Sequence, residues 1–375
     1  MTPAEFFAAY DAFGERRAGG AGDLASAAWL RDRAEAAGVA AELVQVGFPR
    51  FTPGAAFLAV RGRDVPGLPL FDGGTTDAGG ITGTLGPLGS AARIGVIEME
   101  PRAASLPGNP FALARRESRH AAIVVALRTR PDSLAPLNAH DIAEPFGPPV
   151  LQVAGAEAGW LAMLAAEGAP ARFVATGHRG VGRSANIRAE LPGTAPALVL
   201  LTPRTSWWTS TAERGGGILA WLTVLEALAA APRNSAVVAL ATCCHELGHI
   251  GAHRAFAAEP DLASESALVI HLGANLGCAE APRLTVRSNV EGLAERMADA
   301  LAAAGHPREP IEAATGGKAN GEAHEIASRG GRYLSLIGEN PWFHAPEDRW
   351  PATVDLPRAT AIARAVAGFA SEIAR

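Results

Sequence analysis

Apolar runs separated by segments of helical period dominate the second half of the chain. Ala197-Leu198-Val199-Leu200-Leu201 is apolar throughout, as are residues 236–241 and 267–270. Uninterrupted runs of this length read as strands buried on both faces. Between them, Ile218, Trp221, Leu225 and Leu228 share one face of an expected helix over 217–230. Further helices are expected up to about residue 258, over 290–304 and over 356–373, and further strands over 185–191 and 333–337. Near the start, Leu24, Ala27, Leu30 and Ala34 recur at helical spacing until Gly38, and 41–46 alternates as a strand. Alternating strands and helices of this kind imply an α/β fold of three layers, with a mixed, mostly parallel sheet covered by helices on both sides.

The pattern changes between residues 60 and 182. Short strands such as 93–98 and 120–127 are punctuated by Gly and Pro, and 72–80 is rich in turn residues. This stretch is expected to be a strand-rich domain inserted into an α/β domain made of residues 1–59 and 183–375. The chain has 375 residues, which suits two such units.

Composition narrows the function. Hydrophobic residues make up 48% and charged residues 19%, enough apolar material for a large core and too little charge for disorder. Net charge is −5 with the signs mixed, and there is no Lys/Arg block or basic-aromatic stripe, so no nucleic-acid partner is expected. The start lacks a basic segment followed by a long apolar run, and no apolar stretch approaches ~20 residues, so neither a signal peptide nor a membrane span is expected. The three cysteines, Cys243, Cys244 and Cys278, make a poor disulfide framework, and a cytoplasmic location is expected. The oligomeric state is not legible.

In open α/β sheets the chemistry lies at the carboxyl ends of the strands. Arg204, His245, Glu246, His271 and His344 all fall beyond such ends. The stretch from His245 to His249 spells His-Glu-x-x-His, in which two histidines one helical turn apart bind zinc and the glutamate activates water. That reading requires a helix interior. The apolar run 237–243 before it suits a strand better, and Gly248 and Gly251 weaken a helix. The third histidine of the extended motif is also missing, since Ala255 holds its place. His249 and His253 are accordingly expected on a helix surface or packed beneath the site.

Three segments together resemble the co-catalytic zinc aminopeptidase family, which includes bacterial leucyl-type aminopeptidases, glutamate carboxypeptidase and glutaminyl-peptide cyclases. They are residues 245–251, the Glu213-Arg214-Gly215-Gly216-Gly217 turn, and Phe343-His344-Ala345-Pro346-Glu347-Asp348. The insertion is similar in placement and texture to a protease-associated domain. Carried over by position, the resemblance implies that the first His-x-Asp ligand motif falls on Arg204-Thr205-Ser206 and is lost. The bridging aspartate becomes Glu213. The paired glutamates become His245 and Glu246. The aspartate expected near Leu272-Gly273-Ala274 is absent, and the last histidine is kept as His344.

The resemblance therefore implies a mononuclear site with one Zn²⁺ held by Glu213, Glu246 and His344. Three protein ligands and an open fourth position are what a catalytic zinc needs. Arg204, always charged, is expected to stand in for the lost cation by holding Glu213 or a substrate carboxylate. His245 is expected to shuttle the proton. His271 is a candidate extra ligand or base. Trp207, Trp208 and Trp342 are expected to wall a small apolar or aromatic substrate pocket, and Glu322 and His324 to line it. The expected activity is metal-dependent cleavage of an amide or peptide-like bond in a small substrate. The alternatives are cyclisation of the glutaminyl-cyclase kind and a non-catalytic binding protein.

Overall fold

The computed structural model describes residues 1–104, 108–130 and 132–375. Its α/β part is built on a mixed sheet. Four parallel strands occupy the centre, in the order Tyr333–Gly338, Leu268–Leu272, Ala195–Pro203 and Ser235–Thr242. Antiparallel neighbours flank them, Leu284–Ser288 on one side and Pro170–Leu191 on the other. Successive residues of the central strands feed opposite cores. Leu198 and Leu200 pack under the helices Thr211–Ala230 and Leu356–Ile373, whereas Val199 and Leu201 pack with Phe256 and Ile326 of the opposite layer. This two-sided burial is why these strands carry no polar alternation.

Two long strands, Ala40–Val60 and Pro170–Leu191, pair antiparallel from Ala40↔Glu190 to Val60↔Ala171. They run from the α/β sheet into the insertion, so boundaries at residues 59 and 183 fall inside one strand pair, whose register shifts between Pro53 and Ala56. Beyond them, Ile94–Met99, Ala122–Leu127 and Val150–Ala154 form a parallel sheet with its own core around Val124, Leu151 and Phe173.

The sequence pattern did not signal the first helix, Pro3–Ala12. A reciprocal cap holds it, with Thr2 Oγ1 accepting from Glu5 N and Glu5 accepting from Thr2 N. Asp11 at its end accepts from Thr211 Oγ1 at 2.6 Å and from Arg349, which fixes the start of the helix Thr211–Ala230. That helix begins six residues before the expected 217, so Glu213 and Arg214 lie in its first turn rather than in a loop. All three cysteines are free and buried. No helix among the described residues is long and apolar enough to cross a membrane.

Candidate metal centre

The strand Ser235–Thr242 ends in a chain reversal, not in a helix. Cys244 (φ 58°), Gly248 (φ 81°) and His249 (φ 57°) all adopt the left-handed conformation, around a single 3-10 turn at His245–Leu247. A non-glycine residue in that region is strained, and such residues cluster at functional sites. Gly248 is required there, because a Cβ would lie 2.7 Å from the carbonyl oxygen of His140. The reversal brings the rings of His245 and His249 to 4.8 Å between centroids.

Glu322 meets this pair just before the short helix Ala323–Ala327. Its Oε1 lies 2.7 Å from His245 Nδ1, and its Oε2 lies 3.3 Å from His271 Nε2. His271 Nδ1 is in turn 2.8 Å from Ser335 Oγ on the neighbouring strand. Donor atoms of His245, His249 and Glu322 all lie within 4.8 Å of one another. Two donors on one zinc at ~2.0–2.2 Å stand at most ~4.4 Å apart, so a small side-chain adjustment closes the set on one ion. Burial pushes the His249 imidazole down to about 3, so it is neutral and its lone pair is available. Burial alone would raise the Glu322 carboxyl, but the neighbouring His245 and His249 outweigh it and hold it well below the usual range. The group faces a cavity of about 370 Å³ lined also by Asn138, His140, Asn275 and Phe343. Two imidazoles, one carboxylate and an adjacent open cavity fit zinc.

None of the residues expected to hold zinc lines this cavity; the structure does bring them together, but around a guanidinium. Arg214 Nη2 is 2.8 Å from Glu213 Oε1 and 2.9 Å from Glu246 Oε1. His344 Nε2 faces Glu213 Oε1 across 3.5 Å. His344 Nδ1 donates to the carbonyl of Pro136 at 2.5 Å. Glu246 Oε2 accepts from Thr205 Oγ1 at 2.8 Å. A dication placed between these carboxylates would contact Arg214, so as it stands this set does not fit a metal. Burial would raise the Glu213 carboxyl, but Arg214 and then His344 overcome it and hold it down to about 2.

The Glu213 shift has a stability consequence. The folded value lies below the ordinary one near 4.5, so the contribution is present above pH 4.5 and is lost as pH falls toward 2. Its size is of order 3 kcal/mol, from ~1.4 kcal/mol per unit. Denaturant titrations at pH 6 and pH 3 should show the natural chain losing more stability on acidification than Glu213→Gln. Equal losses would contradict the pairing.

Other expected site residues lie elsewhere. Arg204 does not reach Glu213. It is clamped to Asp23 of the helix Ala21–Ala36, with Nη2 donating to Ser184 Oγ at 3.0 Å and Nε to the Ala185 carbonyl at 3.0 Å. The cation beside Glu213 is Arg214, ten residues on, which sequence reasoning passed over. Trp207 is core, packed edge-on to Phe71 at 4.9 Å, and Trp208 packs in the same cluster. Trp342 packs against the main core, and His324 is exposed on the far side of its helix turn. None of these four lines the cavity. His249, expected outside the site, clusters with His245 and Glu322 instead; its letter spacing was the one available signal.

No protein-family model matches the sequence, and a search of curated proteins found no match. Solved structures do match. A zinc aminopeptidase from Bacillus subtilis aligns at 16% identity over 98% of this chain and 93% of its own, with a TM-score of 0.76. A Peptidase M28 precursor from Shewanella amazonensis SB2B aligns at 16% identity over 99% and 92%, with a TM-score of 0.73. An aminopeptidase from Aneurinibacillus sp. strain AM-1 aligns at 15% identity over 98% and 93%, with a TM-score of 0.71. The chain therefore has the fold of the zinc aminopeptidases.

Proposed function

We propose that this chain is a metal-dependent hydrolase that cleaves an amide or peptide-like bond in a small substrate, with one zinc ion held by His245, His249 and Glu322. The observation that carries the reading is the convergence of these three donors on a cavity beyond the strand ends. The zinc aminopeptidase fold of the solved neighbours supports the reaction class. When bound, zinc supplies a Lewis acid for the scissile carbonyl and lowers the pKa of water toward ~7.

The chain's own residues do the rest. His271 donates to Glu322 Oε2 and orients that carboxylate, while Ser335 fixes the His271 tautomer. His245 serves here as a ligand, which replaces the proton-shuttle role expected for it. Asn138 and Asn275 present amides to a bound substrate, and Phe343 and Ile337 give it an apolar wall. The volume of about 370 Å³ suits a small molecule rather than a protein. In this reading the strand-rich insertion is protease-associated-like and roofs the site through Pro136, Asn138 and His140.

Chromogenic aminoacyl anilides and amides test the proposal. Turnover is expected with zinc-loaded protein, lost on chelation and restored by zinc. Protein that binds no zinc at saturating concentrations would overturn it. Zinc bound tightly with no turnover would favour the non-catalytic reading.

A further inference from the structure

We infer that the Arg214 guanidinium is the resident cation of a second, buried ligand set, and that it keeps divalent metal out of the space between Glu213, Glu246 and His344. A single nitrogen, Nη2, bridges both carboxylates at 2.8 and 2.9 Å. An ion held by both carboxylates would need the space that this nitrogen fills. Four buried atoms here lack hydrogen bonds, Glu213 Oε1 and Oε2, His344 Nε2 and Arg214 Nη1, although Oε1 is ion-paired with Arg214. Buried acceptors left without hydrogen bonds beside two carboxylates are what a metal site looks like with a poorer cation in it.

Arg214 has no room to leave. Its side chain is fully buried, and Nε is anchored to the Thr205 carbonyl at 2.8 Å. The helix carrying it is also fixed. A Cβ on Gly216 would lie 1.6 Å from the Leu276 carbonyl oxygen, so the backbones already touch. Asp348 caps the same turn by accepting from Ala212 N at 2.8 Å and Glu213 N at 2.9 Å. With Arg214 in place the two carboxylates carry a net charge of −1. Without it they carry −2 beside the His344 imidazole, a donor set that suits zinc. The inference does not require the neighbouring cavity to be catalytic.

The test is a zinc count on full-length protein equilibrated with zinc and then freed of excess. The natural chain is expected to hold about one zinc, and Glu213→Gln the same number. Arg214→Met is expected to gain about one further equivalent, lost again in Arg214→Met combined with Glu213→Gln. A folded Arg214→Met chain with no additional zinc would overturn the inference, and so would loss of zinc from Glu213→Gln alone. If Arg214→Met does not fold, the Glu213→Gln comparison decides. A natural chain that holds no zinc at all removes the cavity reading and leaves this one standing.

Discussion

Glu322→Gln is expected to weaken zinc binding by more than ~100-fold and to remove zinc-dependent turnover with it. The reasoning is graded. Loss of a residue that only orients a ligand costs ~10–100-fold in metal affinity, and loss of the anionic ligand itself costs more. Gln keeps the shape of Glu322 but loses its charge and replaces one of the two acceptor oxygens with a donor, so it meets either His245 or His271 with the wrong polarity. His271→Ala belongs to the lesser class and is expected to cost ~10–100-fold, because it frees Glu322 Oε2 without removing a donor to the ion. His324→Ala, on the exposed side of the same turn, is expected to change nothing. Isothermal titration with zinc on the three variants, with circular dichroism to confirm folding, gives the ranking. Equal affinities for Glu322→Gln and His324→Ala would contradict the assignment.

Arg204→Met is expected to destabilise the fold by about 3–5 kcal/mol without altering the metal site, the cost typical of orphaning one partner of a buried pair. Asp23 is fully buried and is left with Gly19 N and Ser184 Oγ as its remaining partners. Adding Asp23→Asn removes the stranded charge and should recover much of the loss, since residues in direct contact do not behave additively. Urea unfolding of the single and double variants measures this, and zinc titration of folded Arg204→Met separates it from a role in the site. A stable variant with impaired zinc binding would return Arg204 to the functional set.

Much of the fold was legible. Apolar runs such as 197–201 mark strands buried on two sides, and the structure places them at the centre of the sheet. The site was legible only in part. His271 stood out as a polar residue near a strand end, and it does contact Glu322. The reversal at 244–249 was not readable, because nothing in Cys244 or His249 as residue types announces a left-handed backbone. The helical reading of the His-Glu-x-x-His letters pairs His245 with His249 but requires a helix that is not there, and the strand-end reading assumed ordinary geometry and left His249 out.

Arg214 was missed for a related reason. Glu213-Arg214-Gly215-Gly216-Gly217 reads as a glycine turn, whereas the glycines are helical residues that allow close packing. A Cβ on Gly215 would lie 2.7 Å from the Phe7 ring, and one on Gly216 would collide with the Leu276 carbonyl. With the helix started late, Arg214 appeared to be a loop residue, and the resident cation was sought at Arg204. The tryptophans misled in the opposite direction. Proximity along the chain to strand ends suggested a pocket wall; Trp207 does line a cavity with Phe71, Glu246 and Leu247, but not the one that His245, His249 and Glu322 face.

A zinc-edge anomalous difference map from crystals of the zinc-loaded natural chain tests the assignment most directly. The structure predicts one peak in the cavity, within ~2.0–2.2 Å of donor atoms of His245, His249 and Glu322. A peak between Glu213 and Glu246, with Arg214 displaced, would contradict it.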